Sequence, residues 1–271
     1  MLQEAPETVT APVAKKVSEI LYATDFSDSS QRALVCAKHI ARLQGMNVRT
    51  VHIIDLAEAG GAFNKIQDHA WRELRRVRRN LRLGGVKEVA NLITSGGSVA
   101  RSVSDAARRY KAGLVIIGIS GDSFVISSVL GSTARGILRG SPCPVMTVGI
   151  RSEDPPSHVF DRILYVVDSD PASLKKALAS WPVKSRLDAP HFIVLPPGEA
   201  PTNTSAEDAA VSLQISNRNA AALLLLAAKQ LNPDLIVFGL RTGGYLDALN
   251  AGGFAYKIIG HSPCPVLTVR A

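Results

Sequence analysis

Leu114-Val115-Ile116-Ile117-Gly118-Ile119-Ser120-Gly121, then nine residues, then Gly131-Ser132-Thr133: this stretch sets the reading of the chain. Its first four residues are the uninterrupted apolar run of a strand buried on both faces of a parallel sheet. Gly118 marks where that strand leaves the sheet. Ser132 or Thr133, followed by Ala134, Ile137 and Leu138, reads as the start of a helix. The first turn of a helix presents unpaired N–H groups and a positive dipole end, which together seat an anion. Glycines at 118, 121 and 131 let backbone approach such an anion with no Cβ in the way. Strand, glycine loop and helix N-terminus together suit a nucleotide polyphosphate.

Further along, Ser141-Pro142-Cys143-Pro144-Val145-Met146-Thr147-Val148 recurs as Ser262-Pro263-Cys264-Pro265-Val266-Leu267-Thr268-Val269, shifted by 121 residues. Gly118 and Gly239 share that shift, whereas Ile20-Leu21-Tyr22 and Ile163-Leu164-Tyr165 are offset by 143. The second copy has therefore lost about 22 residues internally. The first copy holds a segment of that size, where Phe63, Ile66, Ala70, Leu74, Val77 and Leu81 recur at helical spacing among six arginines. Gly84-Gly85 ends it. The matching place in the second copy reads Pro196-Pro197-Gly198 and then Pro201, a loop composition. The expected division is a tail over 1–17, a unit over 18–151 and a second unit over 158–271, joined through Pro155-Pro156.

In the first unit the patterning predicts strands 18–24, 48–54, 86–93, 114–118 and 144–149, with helices 29–43, 62–83, 97–110 and 132–139 between them. The second unit is predicted to hold strands 162–167, 190–195, 210–216, 234–239 and 265–270, with helices 171–180, 218–231 and 250–260. Such alternation means an α/β fold: two tandem five-stranded parallel sheets, the second lacking one helix. Ligands bind such units at the carboxyl ends of the strands, at the topological switch point.

Apolar content of 46% and charged content of 20% exclude a disordered chain. Glu4 and Glu7 interrupt any signal-peptide core, and the longest apolar run, Ala220 to Ala228, is too short for a bilayer. Cys36, Cys143 and Cys264, odd in number and without metal-ligand spacing, predict reduced thiols in a cytoplasmic protein with no resident metal. The net charge of +8 is uneven. Residues 1–151 carry 21 Lys and Arg against 12 Asp and Glu, while residues 152–271 carry 10 against 11.

The spacing G-x2-G-x9-G-S/T resembles the ATP-binding motif of the universal stress protein family. It is neither a Walker A loop nor G-x-G-x-x-G. Ala23-Thr24-Asp25-Phe26-Ser27, Val51-His52-Ile53-Ile54-Asp55 and the two Ser-Pro-Cys-Pro-Val segments carry the same resemblance. It implies a Rossmann-like fold of the adenine nucleotide alpha hydrolase kind. It also implies that Ala23, Thr24 and Asp25 meet the adenosine, that Ile53 frames the adenine and that Ile117 borders the nucleoside. Gly118, Gly121, Gly131, Ser132 and Thr133 are implied to hold ribose and phosphates, with Mg²⁺ carried on the phosphates of ATP, or AMP or ADP in its place. Each residue also has a plain structural role: Asp25 with Ser27 as a helix cap, Ile53 and Ile117 as core, Ser132 as a cap, His52 as a local hydrogen-bonding group.

The second copy departs from the motif, with Thr242 in place of the second glycine and Gly253 in place of the hydroxyl residue. One nucleotide site is expected, in the first copy, with the second copy structural. Val145–Val148 and Val266–Val269 are matching apolar edge strands, expected to pair within the chain as a built-in pseudo-dimer. The leading reading is a nucleotide-binding stress regulator acting on a protein partner. A slow ATPase or phosphotransferase is the alternative, with Arg135 and Asp122 as its only candidates. A second alternative is an anionic-surface or nucleic-acid binder using the arginine-rich helix 62–83; nucleic acid is the less expected partner, because Trp71 is the one aromatic residue among those arginines.

Overall fold

The computed structural model describes residues 19–95, 97–119, 130–149, 152, 160, 162–167, 191–194, 220–240 and 254–270. In the N-terminal half, β1 (Glu19–Ala23), α1 (Asp28–Gln44), β2 (Asn47–Asp55), α2 (Leu56–Ala59), α3 (Phe63–Leu83), β3 (Glu88–Ser95), α4 (Val99–Arg109), β4 (Leu114–Ile119), α5 (Ser132–Gly140) and β5 (Val145–Gly149) follow in order. The C-terminal half contributes β6 (Ile163–Val167), β7 (His191–Val194), α6 (Ala220–Leu231), β8 (Leu235–Leu240), α7 (Phe254–His261) and β9 (Val266–Arg270). The tail over 1–17, the helix 171–180 and the strand 210–216 expected from the sequence lie outside the described residues.

The nine strands of the described residues hydrogen-bond into one sheet in the order β3-β2-β1-β4-β5-β9-β8-β6-β7. Pairing is parallel within each half. The two apolar edges cover each other: β5 pairs with β9 antiparallel, Met146 opposite Leu267, and the Thr147 hydroxyl donates to the Val266 carbonyl at 3.2 Å. The sheet's two faces follow the period-2 alternation of its strands. Along β4, Val115, Ile117 and Ile119 join one core with α4 and α5, while Leu114 and Ile116 join the other with α1 and with Val77 and Leu81 of α3. Both cores continue across the seam, the first to Phe238 and Tyr256 and the second to Val237 and Leu267.

Local sequence explains the ends of the elements. Ser27 caps α1, its side chain accepting from the Ser30 N–H at 3.3 Å, and Gly45 closes the helix at φ 63°. At the end of α3, Gly85 takes φ 74° and the Val86 N–H reaches the Leu81 carbonyl at 3.0 Å. That six-to-one bond is a Schellman stop. It occupies the residues where a third strand is predicted to begin, so β3 starts at Glu88 instead of 86. A short helical turn over Leu56–Ala62, unforeseen in the sequence, bridges β2 and α3. Ser152 fixes the exit from β5: its carbonyl accepts from Arg32 Nη1 at 2.7 Å and its hydroxyl from the Gly149 N–H at 3.2 Å.

Candidate functional site

Sheet order turns back at β1, which has β2 on one side and β4 on the other, and a cavity of about 380 Å³ opens at the carboxyl ends of these strands. That volume lies within the range of small-molecule sites. Ala23 enters it from β1 and Thr24 and Asp25 from the loop that follows, Val51, His52 and Ile53 from β2, and Ile117, Gly118 and Ile119 from β4. Ser30 of α1, Val99 and Val103 of α4, and Gly131, Ser132, Thr133, Ala134 and Ile137 around the start of α5 complete it. Nine of the ten residues expected from the sequence line this one cavity. The tenth, Gly121, lies outside the described residues.

The loop after β1 is held by its own polar groups. Asp25 Oδ1 accepts from the Ser30 hydroxyl at 2.5 Å, the Ser27 hydroxyl at 2.6 Å and the Ser27 N–H at 3.0 Å. Burial pushes the Asp25 carboxyl up, but these hydrogen bonds outweigh it and hold the group below its ordinary value. Thr24 Oγ1 accepts from the Phe26 N–H at 3.0 Å. Phe26 itself sits at φ 68°, a left-handed conformation that costs a residue with a Cβ about 1–2 kcal/mol. Its ring stacks on His52 with centroids 4.3 Å apart and meets His69 of α3 edge-on at 6.4 Å. His52 Nδ1 lies 2.8 Å from the Thr24 carbonyl, which only accepts, so Nδ1 carries the proton. Burial lowers the His52 value and His69 adds to that; the bond to Thr24 and the charge of Asp25 oppose it, and the net direction is down. His52 thus orients the loop through the Thr24 carbonyl, with the neutral imidazole favoured.

Two glycines play parts other than those the sequence suggests. A Cβ on Gly118 would lie 2.4 Å from the Ser29 carbonyl carbon and the Ser30 nitrogen, so this glycine makes room for the first turn of α1 as well as lining the cavity. Around Gly131 there is open space, and this residue, not Ser132, is the N-cap of α5. The expectation that Ser132 caps its helix is therefore corrected: Ser132 is the first helical residue, and among the described residues no side chain caps the helix.

Arg135, one of the two candidates for phosphotransfer, does not line the cavity. Asp122, the other, lies outside the described residues. Burial pushes the Cys143 thiol up, opposed by a hydrogen bond with Ser141, whose hydroxyl lies 3.7 Å from the sulfur. Ser262 and Cys264 repeat that arrangement at 3.7 Å. Among the described residues, no helix is long and apolar enough to cross a membrane.

A family model described as "Universal stress protein family" matches residues 16–149 and 194–270. A universal stress protein of Methanocaldococcus jannaschii is 27% identical over 139 residues, which is 48% of this chain and 81% of that protein. One from Thermus aquaticus is 30% identical over 133 residues, 48% of this chain and 96% of its own. The crystal structure of a universal stress protein from Archaeoglobus fulgidus superposes with a TM-score of 0.69 at 17% identity, covering 93% of this chain and 98% of that one. That likeness speaks for the fold.

Proposed function

The chain belongs to the universal stress protein family, and we propose that its N-terminal half binds an adenine nucleotide, ATP before AMP or ADP, and passes occupancy on to a protein partner as a stress-response regulator. The observation that carries this reading is the convergence of Asp25, Ile53, Ile117 and Gly131-Ser132-Thr133 from four elements onto one cleft beside an uncapped helix start. In the proposed pose the base lies against Ile53 and Val51. Asp25 Oδ2, which takes none of the loop's hydrogen bonds, accepts from a ribose hydroxyl, and the phosphates rest on the first amides of α5. Mg²⁺ would ride on phosphate oxygens and water, as it does where a protein offers few carboxylates.

We assign the nucleotide site to residues 18–151 alone and treat 158–271 as a structural unit. The residues on which the second copy departs from the motif, Thr242 and Gly253, lie outside the described residues, so that assignment rests on sequence. Turnover is not part of the proposal. The described lining residues that titrate are Asp25 and His52, and both are engaged in holding the loop.

The test is the nucleotide content of freshly purified protein, released by denaturation and separated by ion exchange, for the natural chain and for Gly131→Asp. An aspartate at that N-cap satisfies the helix amides itself and places a charge where a phosphate would sit. About one adenine nucleotide per chain, lost in a variant that is no less stable, supports the proposal. No nucleotide in either protein, with no thermal shift on adding ATP and Mg²⁺, would refute it.

A further inference from the structure

We infer that the outer face of α3 is a binding surface for single-stranded nucleic acid, separate from the cleft. All six arginines of this helix are exposed. Arg76 pairs with Glu73 at 2.7 Å and Arg78 with the buried Glu88 at 3.6 Å. Arg72, Arg75 and Arg79 enter no ion pair among the described residues. At about 100° per residue, Trp71, Arg72, Arg75, Arg79 and Arg82 fall within one arc of about 100°. The opposite side, Ala70, Leu74, Val77 and Leu81, is spent on the core.

Three features select the partner. Within that arc the cations are all arginine, whose planar fork matches phosphate oxygens in pairs; a surface that recognised only a field of negative charge would be served equally by lysine. Ala70, Leu74, Val77 and Leu81 of α3 are buried, and the exposed Ile66, Trp71 and Leu83 are spread around the helix, so it has no apolar face to lay into a bilayer. Trp71 keeps 39% of its surface exposed, one turn from Arg75. An open indole beside guanidinium groups is a stacking platform for an unpaired base, and a duplex, with its bases already stacked, would leave it idle. In the sequence Trp71 is the one aromatic residue among these arginines, which weighs against nucleic acid; its exposure beside three arginines with no ion pair among the described residues reverses that weight.

The experiment is fluorescence polarisation of a labelled oligothymidine of about 20 nucleotides, titrated between roughly 50 and 200 mM KCl. The natural chain is expected to bind with log K falling linearly in log salt, with a slope of about −2 to −3 for three or four phosphates neutralised on a single strand. Replacing Arg72, Arg75 and Arg79 together by Ala, with an unchanged circular dichroism spectrum, should flatten that slope by about 2. Trp71→Ala should weaken binding by roughly five- to a hundredfold, the span measured for stacked bases. Gly131→Asp should bind the oligonucleotide like the natural chain, which separates this surface from the cleft. The inference is overturned by any of four results: no binding at the lowest salt, equal binding by the triple variant, loss of binding in Gly131→Asp, or cosedimentation with phosphatidylglycerol vesicles without oligonucleotide binding.

Discussion

A Cβ on Gly118 would come within 2.4 Å of the Ser29 carbonyl carbon, so the end of β4 and the first turn of α1 share a space that admits only glycine. The two elements that flank the candidate site are thereby packed backbone to backbone. Backbone cannot swing aside as a side chain does, so Gly118→Ala is expected to cost about 1–3 kcal/mol in urea unfolding. Gly131→Ala meets nothing within 4 Å among the described residues and keeps a φ of −53° that alanine adopts freely. Its unfolding should match the natural chain within about 0.5 kcal/mol. Equal losses in the two variants would contradict this division between a packing glycine and a site glycine.

Asp25 should make the cleft loop acid-labile. Its folded value lies below the ordinary one, so its contribution is present at neutral pH. That contribution begins to fade as pH falls below about 3.9, the unfolded value, and is gone once pH has passed through the lower folded value. Asp25→Asn should be less stable than the natural chain at pH 7 and lose less on acidification. Parallel stability curves from pH 7 to pH 2 would show that the serine hydrogen bonds carry no such weight.

How far the sequence discloses this site depends on the kind of residue. The strands were legible because a doubly buried parallel strand is an uninterrupted apolar run, as in Leu114–Ile117. The lining glycines and Asp25 were legible through their spacing. Val99 and Val103 were not: on α4 they read as ordinary helical core positions, and only the crossover lays them against the cleft. Phe26 was not either, because nothing in its neighbours announces a left-handed phenylalanine. The packing role of Gly118 was not legible for a related reason. Sequence shows that a Cβ is excluded but not whether a ligand or a helix excludes it.

His52 should titrate below the ordinary histidine value of about 6.5. The unfolded chain therefore takes up this proton first, and stability should fall as pH drops below about 6.5, levelling once pH is below the folded value. Phe26→Ala, which removes the ring stacked on the imidazole, should bring the His52 midpoint back up. Long-range nitrogen–proton NMR correlations should show the neutral form protonated at Nδ1. A proton at Nε2 would mean that the Thr24 carbonyl does not hold the ring.

Leu267 is fully buried with a strand on either side, Met146 across one ladder and Val237 across the other. Leu267→Pro removes a ladder hydrogen bond whichever neighbour receives it, and is expected to cost about 3 kcal/mol or more. If the bond lost is to β5, that strand's edge is bared and self-association should follow in light scattering. A variant that stays monodisperse and as stable as the natural chain would argue against the continuous sheet.

The same antiparallel seam has a consequence for traffic between molecules. Strands joined through one covalent chain meet at an effective concentration that a separate protein does not ordinarily reach. A related chain carrying a matching Val-x-Thr-Val strand therefore finds these two edges already occupied. Dilution does not part the halves, and mixing with relatives does not reshuffle them. Along this edge the chain is insulated from hybrid assembly, so its composition is set when it is translated, whatever the abundance of its kin.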